Sequence, residues 1–436
     1  MFNEDLWQKL KNESLPIVLY GTGNAAEKIA SLLEERGIEI AGIFASDDFV
    51  RNKVFLGHQV KSLAALEDEL GDFVVLLCFG SHLSDVIDKI KAVSRKHTLY
   101  APDIPVVGEG LFDADYYKAH AAEFEALSAR LADEQSRRVL DCVIKYKLSG
   151  DLRWLFEAES AEEEQWTLAA GLVDSAAVDV LSDQGGNASG VDCASGADCA
   201  DGLAGFAAPA KYAAAAGAGG SARADVLLDL GAYTGDTARL FAQLRPGFKA
   251  IYAAEPEARN FRKLSEFSEV FNSEHPGSAV YPLNIGIGDK DEEVLFSVGG
   301  GRGSRSKKLA PVRFTSVDRL LGEVCGLPAD AQLAPDAVNP EYGGNHPAPD
   351  VFIPVLPETG NLLIKMDLEG WEMKALEGAK QTIIRHKPNL LISAYHRTDD
   401  LLIIPEFILS LDPSYKVYLR HSPCVPAWEV NYIFVK

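Results

Sequence analysis

Three acidic residues stand where an apolar run of chain gives way to a turn: Asp229 in VLLDLGAYTGD, Glu255 in AIYAAEPE and Asp367 in LLIKMDLEG. An acid at the carboxyl end of a buried parallel strand projects into the crevice where open α/β sheets bind ligands. Gly231 and Gly235 let the chain turn tightly and approach that ligand closely, with Ala232 and Tyr233 between them. Glu255 follows Asp229 by 26 positions, at the end of the next strand. A carboxylate there can accept hydrogen bonds from both hydroxyls of a ribose. Each feature also has a plain structural reading: any strand–turn–helix crossover, a surface acid, or, for Asp367, a helix cap.

A dinucleotide needs a helix N-terminus aimed at its pyrophosphate. S-adenosylmethionine has no phosphate and carries an α-amino group, which Asp229 can meet. Methyl transfer from its sulfonium is an in-line displacement, so alignment of acceptor and methyl supplies much of the rate. A hydroxyl acceptor gains from a base within hydrogen-bond reach. Asp367, Glu369 and His396, the last in LLISAYHRTDD, are the candidates. Asp367, Glu369 and Glu372 could together hold a divalent metal, but no histidine lies near them in sequence, so no metal is expected. The basic loop Gly299–Lys308 could close over an anionic acceptor or be an ordinary solvated loop.

The elements that must position these groups follow from hydrophobic rhythm. Strands are expected at Val226–Leu230, Ala250–Glu255, Val280–Ile285, Glu293–Val298, Val312–Ser316, Leu362–Met366 and Leu390–Ala394, with helices at Thr234–Leu244, Glu257–Phe271, Trp371–Arg385 and Asp400–Leu411. Lys416–Arg420 and Val430–Val435 read as an antiparallel pair at the sheet edge. An earlier α/β rhythm runs over about 15–105, with strands at Leu15–Tyr20, Ile38–Phe44 and Phe73–Phe79. Residues 113–156 read as a connecting helical hairpin stopped by Gly150. The expected division is thus a Rossmann-like domain at 1–110, a helical and acidic connector at 111–182, an Ala/Gly/Ser-rich linker at 183–222, and a second α/β domain at 223–436 with an insertion at about 327–357.

The chain has 436 residues, 47% hydrophobic and 24% charged, enough for more than one core. A net charge of −22 argues against nucleic-acid partners and against anionic membranes. No apolar run reaches the roughly 18–20 residues of a membrane helix. The first residues lack a signal-peptide pattern, and the 6 cysteines form no Cys-x-x-Cys pair, so reduced thiols in the cytoplasm are expected.

The turn Asp229–Gly235 and the segment Asp367–Gly370, continuing to Glu377-Gly378-Ala379, together resemble the FkbM family of methyltransferases. LNIGIGD at Leu283–Asp289 and LLISAYH at Leu390–His396 add to the resemblance, which runs from about Val226 to Lys436. Leu368 stands where the family's Asp-Val-Glu-Gly pattern has valine. The resemblance implies a seven-stranded Rossmann-like methyltransferase sheet, S-adenosylmethionine as cofactor and O-methylation of a hydroxyl, often on a sugar or polyketide. By that likeness Asp229, Gly231, Gly235 and Glu255 fall on cofactor positions, Asn284 and Ile285 flank the adenine, and Asp367 lies near the transferred methyl.

The N-terminal segment LYGTGNAAEKIASLL carries Gly21-x-Gly23-x-x-Ala26 after a strand, with Asp47 near the end of the next. It resembles the nucleotide-binding-like N-terminal domain of sugar-modifying enzymes such as the sialic-acid-type acetyltransferases, which implies either a nucleotide-sugar site or an empty scaffold. An NAD-dependent enzyme centred on Gly21–Gly23 is the rival reading, weakened by the lack of a Tyr-x-x-x-Lys pair. A non-catalytic binding protein that keeps the fold is another. The acceptor's identity and the oligomeric state are not legible.

Overall fold

The two α/β rhythms fold as two separate sheets in the computed structural model, which describes residues 4–46, 53–171, 224–298, 308–322 and 362–436. Asp47, the 183–222 stretch, the basic loop up to Lys307, the 327–357 insertion, Cys193, Cys199 and Cys325 lie outside the described residues.

The first sheet holds β1 (Ile17–Tyr20), β2 (Ile40–Phe44), β3 (Val54–Phe55), β4 (His58–Lys61), β5 (Val74–Leu77) and β6 (Leu99–Tyr100), in the order β3-β4-β2-β1-β5-β6. Its pairs are parallel except β3 with β4. Every residue of β1 and β5 is buried. Side chains alternate between faces along a strand, so continuous burial means both faces are covered. The helices Asn24–Glu35, Leu63–Leu70 and Ser84–Ser94 alternate with these strands.

The stretch expected as one helical hairpin divides into four helices: Ala114–Ala119, Ala121–Arg130, Glu134–Ser149 and Leu152–Ala158. Gly150 ends the longest, as expected, in a left-handed conformation at φ 65°. A further helix, Glu162–Ala169, falls in the acidic segment.

The second half contributes β7 (Val226–Leu230), β8 (Ala250–Ala254) and β9 (Ala279–Leu283), then β10 (Gly286–Gly288), β11 (Glu292–Val298) and β12 (Lys308–Ser316), and finally β13 (Leu362–Met366), β14 (Asn389–Ser393), β15 (Lys416–His421) and β16 (Val430–Val435). Seven of them form the expected sheet, in the order β15-β16-β14-β13-β7-β8-β9, and β10, β12 and β11 make a small sheet of their own. β15 and β16 are the expected antiparallel pair. The helix expected at 371–385 breaks in two, Glu372–Glu377 and Lys380–His386. Gly378 sits at the break, where a methyl group would meet the Gly288 carbonyl oxygen at 2.2 Å.

The connector closes the edge of this sheet. The Ala132 and Ser160 amides donate to the Val417 and His421 carbonyls of β15 at 2.8 and 2.8 Å. Arg420, fully buried on β15, meets Asp133 at 2.7 Å and Glu164 at 2.8 Å. An open strand edge would otherwise invite pairing with other chains. The Ala224 amide, just before β7, donates to the Ala170 carbonyl at 3.1 Å, so the chain leaves and re-enters the described fold at one point. Among the described residues no helix is long and apolar enough to cross a membrane.

Candidate active site

The glycine turn after β7 is shaped by what lies against it. Gly231 has φ 85°, and a methyl group on it would stand 1.9 Å from the Asp367 carbonyl oxygen. Only glycine lets the two strand ends approach this closely. The Gly231 and Ala232 amides both donate to the Ala254 carbonyl, at 3.0 and 2.9 Å. Ala232 is buried, whereas Tyr233, at φ 49°, is 57% exposed. Gly235, at φ 90°, starts the helix Asp236–Leu244, and a methyl there would press on the Phe267 ring.

Glu255 holds this turn from the next strand. Its Oε2 accepts from the Tyr233 amide at 3.0 Å and its Oε1 from the Glu257 amide at 2.8 Å. Burial pushes its carboxyl up to about 7, against the pull of those amides. Asn284, exposed at the end of β9, donates from its side-chain amide to the Glu255 carbonyl at 2.9 Å, and Ile285 beside it is buried. The expected cofactor residues therefore run along one edge of β7, β8 and β9.

Asp229 is fully buried. Burial pushes it up to about 6, partly offset by Lys365, whose Nζ lies 3.5 Å away. Lys365 is not among the residues expected at the site. It also donates to the Gly231 carbonyl at 3.0 Å and lies 3.9 Å from Asp367 Oδ2. Burial works against its charge, but Asp229, Asp367 and Asp236 outweigh that and hold it protonated. A lysine inside an otherwise apolar strand was the available signal, since a charge buried on both faces demands a partner.

The second cluster lies one strand further along. Asp367 follows directly on β13 and accepts from the Tyr395 hydroxyl at 3.2 Å. Glu369 and Gly370 follow at φ 51° and 93°, a left-handed pair. A non-glycine residue in that region is held there at a cost, and such residues gather at functional sites. His396, fully buried after β14, faces Asp367 Oδ1 at 3.5 Å and Glu369 Oε2 at 3.8 Å through Nε2, and Glu372 Oε1 at 3.0 Å through Nδ1. Burial disfavours the imidazolium, but Glu372, Asp367 and Glu369 outweigh it and lift His396 to about 9. All three expected catalytic residues are therefore brought together. Glu372 and His396 are far apart in sequence yet adjacent in the fold, so the lack of a histidine near these acids in sequence does not keep one from joining them.

The N-terminal half borders the same cluster. The Val107 amide donates to the His396 carbonyl at 3.0 Å, and the Val107 side chain lies 3.1 Å from where a Gly370 methyl would be. The Arg397 Nε donates to the Gly370 carbonyl at 3.0 Å and the Thr398 hydroxyl to that of Gly110 at 2.9 Å. At the N-terminal glycine turn a methyl on Gly21 would meet the Phe79 ring at 2.9 Å, and one on Gly80 would meet the Trp428 ring at 2.2 Å. Aromatic rings from both halves thus fill the ends of β1 and β5.

Sheet order, glycine turn and strand-end acids give a mostly parallel, seven-stranded α/β sheet with its acids at one edge. Residues 360–414 match the model of the methyltransferase FkbM domain, so the resemblance drawn from Asp367–Gly370 and Leu390–His396 holds for that segment. Among solved structures the chain is similar to the methyltransferase FkbM from Methylobacillus flagellatus KT, with 20% identity over 97% of this chain and 90% of that one, at a TM-score of 0.57. No curated protein matches the chain.

Proposed function

We propose that the protein is an S-adenosylmethionine-dependent methyltransferase that methylates a hydroxyl on a sugar, glycan precursor or related small molecule. The observation that carries this reading is the continuous edge formed by Asp229, the Gly231–Gly235 turn and Glu255, with Asp367 one strand away and locked against Gly231. Asp229 receives the ammonium group of the cofactor, Glu255 the ribose hydroxyls, and Asn284 and Ile285 the adenine. The FkbM match supports the transfer of a methyl group.

Bound there, S-adenosylmethionine would supply a sulfonium-activated methyl group for in-line transfer to the acceptor oxygen, the sulfur leaving as a neutral thioether. The acceptor's proton goes to Asp367, which is partly open to solvent at 26% of its side chain. His396, already protonated among its carboxylates, serves in this reading to hold Asp367 and Glu369 in place rather than to take that proton. The N-terminal half recognises the acceptor, supported by the contact of Val107 with Gly370 and His396. Neither nucleic acid nor membrane is a partner, consistent with the net charge of −22, and the enzyme works in the cytoplasm.

Calorimetric titration of S-adenosylmethionine and of NAD into the full-length protein tests this. Binding of S-adenosylmethionine that disappears in Asp229→Ala is the expected result. A folded protein that binds NAD and not S-adenosylmethionine would overturn it.

A further inference from the structure

We infer that Asp367, Glu372 and His396 form a binding site for one divalent transition-metal ion beside the position proposed for the methyl acceptor. One donor atom from each of the three lies within 4.8 Å of the others. Single hydrogen bonds do not account for the arrangement. His396 and Glu372 are 0% and 1% exposed, yet His396 Nε2 and Glu372 Oε2 have no hydrogen-bond partner among the described residues. Buried polar atoms in folded proteins are nearly always satisfied, so two such atoms in one cluster point to something that fills it.

The donor spacing fits a cation better than a hydrogen bond. Metal–ligand bonds of about 2.0–2.2 Å place neighbouring donors about 3–4 Å apart. His396 Nε2 stands 3.5 Å from Asp367 Oδ1 and 3.8 Å from Glu369 Oε2, too far for good hydrogen bonds and within that range. The donors are themselves held. The Leu368 amide donates to Glu372 Oε1 at 2.6 Å and the Tyr395 hydroxyl to Asp367 Oδ1 at 3.2 Å, which is how ligating carboxylates are normally oriented. Asp400 adds a further buried carboxylate nearby, its Oδ1 also without a partner among the described residues. Asp367, Glu369, Glu372 and Asp400 thus converge on one imidazole, where a bound metal ion would take the place of the Nε2 proton as the positive charge among them.

One imidazole with two carboxylates suits manganese or zinc better than magnesium, which favours oxygen donors alone. A hydroxyl placed on such an ion loses its proton more readily. The inference shares its location with the methyltransferase reading, but its binding test does not depend on it.

The test is calorimetric titration of manganese chloride and zinc chloride into chelator-treated full-length protein, with thermal melts run alongside. The expected result is saturable binding of one ion per chain, weakened at least roughly tenfold in Asp367→Asn and in His396→Gln. Asp367→Asn is the partly exposed position, so it keeps the test valid if the buried His396→Gln fails to fold. Weak, unsaturated uptake by the acidic surface, or binding unchanged in a folded variant, would overturn the site. A parallel titration with S-adenosylmethionine separates the two readings. Cofactor binding without metal binding removes only the metal, and metal binding without cofactor binding removes only the methyltransferase assignment.

Discussion

Lys365 and Asp229 are register partners on β13 and β7, and the lysine Nζ lies 3.5 Å from Asp229 Oδ1 with 11% and 0% of their side chains exposed. The cation also reaches the Gly231 carbonyl, so one buried lysine ties the strand-end acid to the turn that follows it. The position proposed for the cofactor's ammonium group thus already holds a positive charge. That charge favours the ionised form of an acid that burial pushes the other way.

Removing one member of such a pair strands the other. Lys365→Met should cost about 3–5 kcal/mol of stability, less whatever Asp229 recovers by taking up a proton. The double variant with Asp229→Asn should recover part of the loss, a coupling of about 0.5–3 kcal/mol. Denaturant unfolding of the four proteins measures it, and additive losses would show that the two side chains act independently.

Gly231→Ala meets two obstacles: a φ of 85° and a carbonyl oxygen 1.9 Å from the new methyl. The strained backbone alone costs on the order of 1–3 kcal/mol. The larger expected effect is on binding, because the turn must shift away from Asp367. Loss of S-adenosylmethionine affinity greater than the loss of stability is the expected outcome of titration and melting together.

Glu255, pushed up to about 7 by burial, should make cofactor binding depend on pH. Below 7 the carboxyl is protonated, and the charge-assisted hydrogen bonds proposed from it to the ribose would be lost. Affinity should therefore rise by about tenfold from pH 5.5 to 8 and then level off. Glu255→Gln should bind more weakly by about 1.5–3 kcal/mol and show a flat profile. An equally steep profile in the variant would assign the titration to another group.

His421, fully buried on β15, is pushed down to about 4 by burial. Its unfolded value is about 6.5, so the unfolded chain binds the extra proton between pH 6.5 and 4, and stability falls as pH drops through that window. The full effect is about 3 kcal/mol. Asp229, Glu255 and Asp400, all raised by burial, act in the opposite sense. The measured quantity is therefore the difference between the protein and His421→Leu, whose urea midpoints should converge at acid pH.

Much of this was legible before the structure. The strands Val226–Leu230 and Leu362–Met366 and the helix Asp400–Leu411 lie where the hydrophobic pattern puts them, because runs buried on both faces are continuous in sequence. The break at Gly378 was hidden, since helical periodicity continues across it while the reason for the break, the Gly288 carbonyl, comes from another sheet. Lys365 could have been found as a charge inside an apolar strand. The grouping of His396 with Glu372 could not, because a strand and a crossover separate them in sequence and only the pairing of β13 with β14 brings them to one edge. The role of Val107 against Gly370 was equally out of reach, being a contact between two halves that the sequence presents as separate units.

The hydrogen bond between the Ala224 amide and the Ala170 carbonyl has a topological meaning. The described chain stops at Gly171 and resumes at Ala224 beside the same helix end, so the spacing of these two ends is set by the fold around them. Closing a loop costs only about 0.6 kcal/mol more for each doubling of its length. Sequence drift can therefore change the number of residues between Gly171 and Ala224 while the contacts that join these two ends are kept.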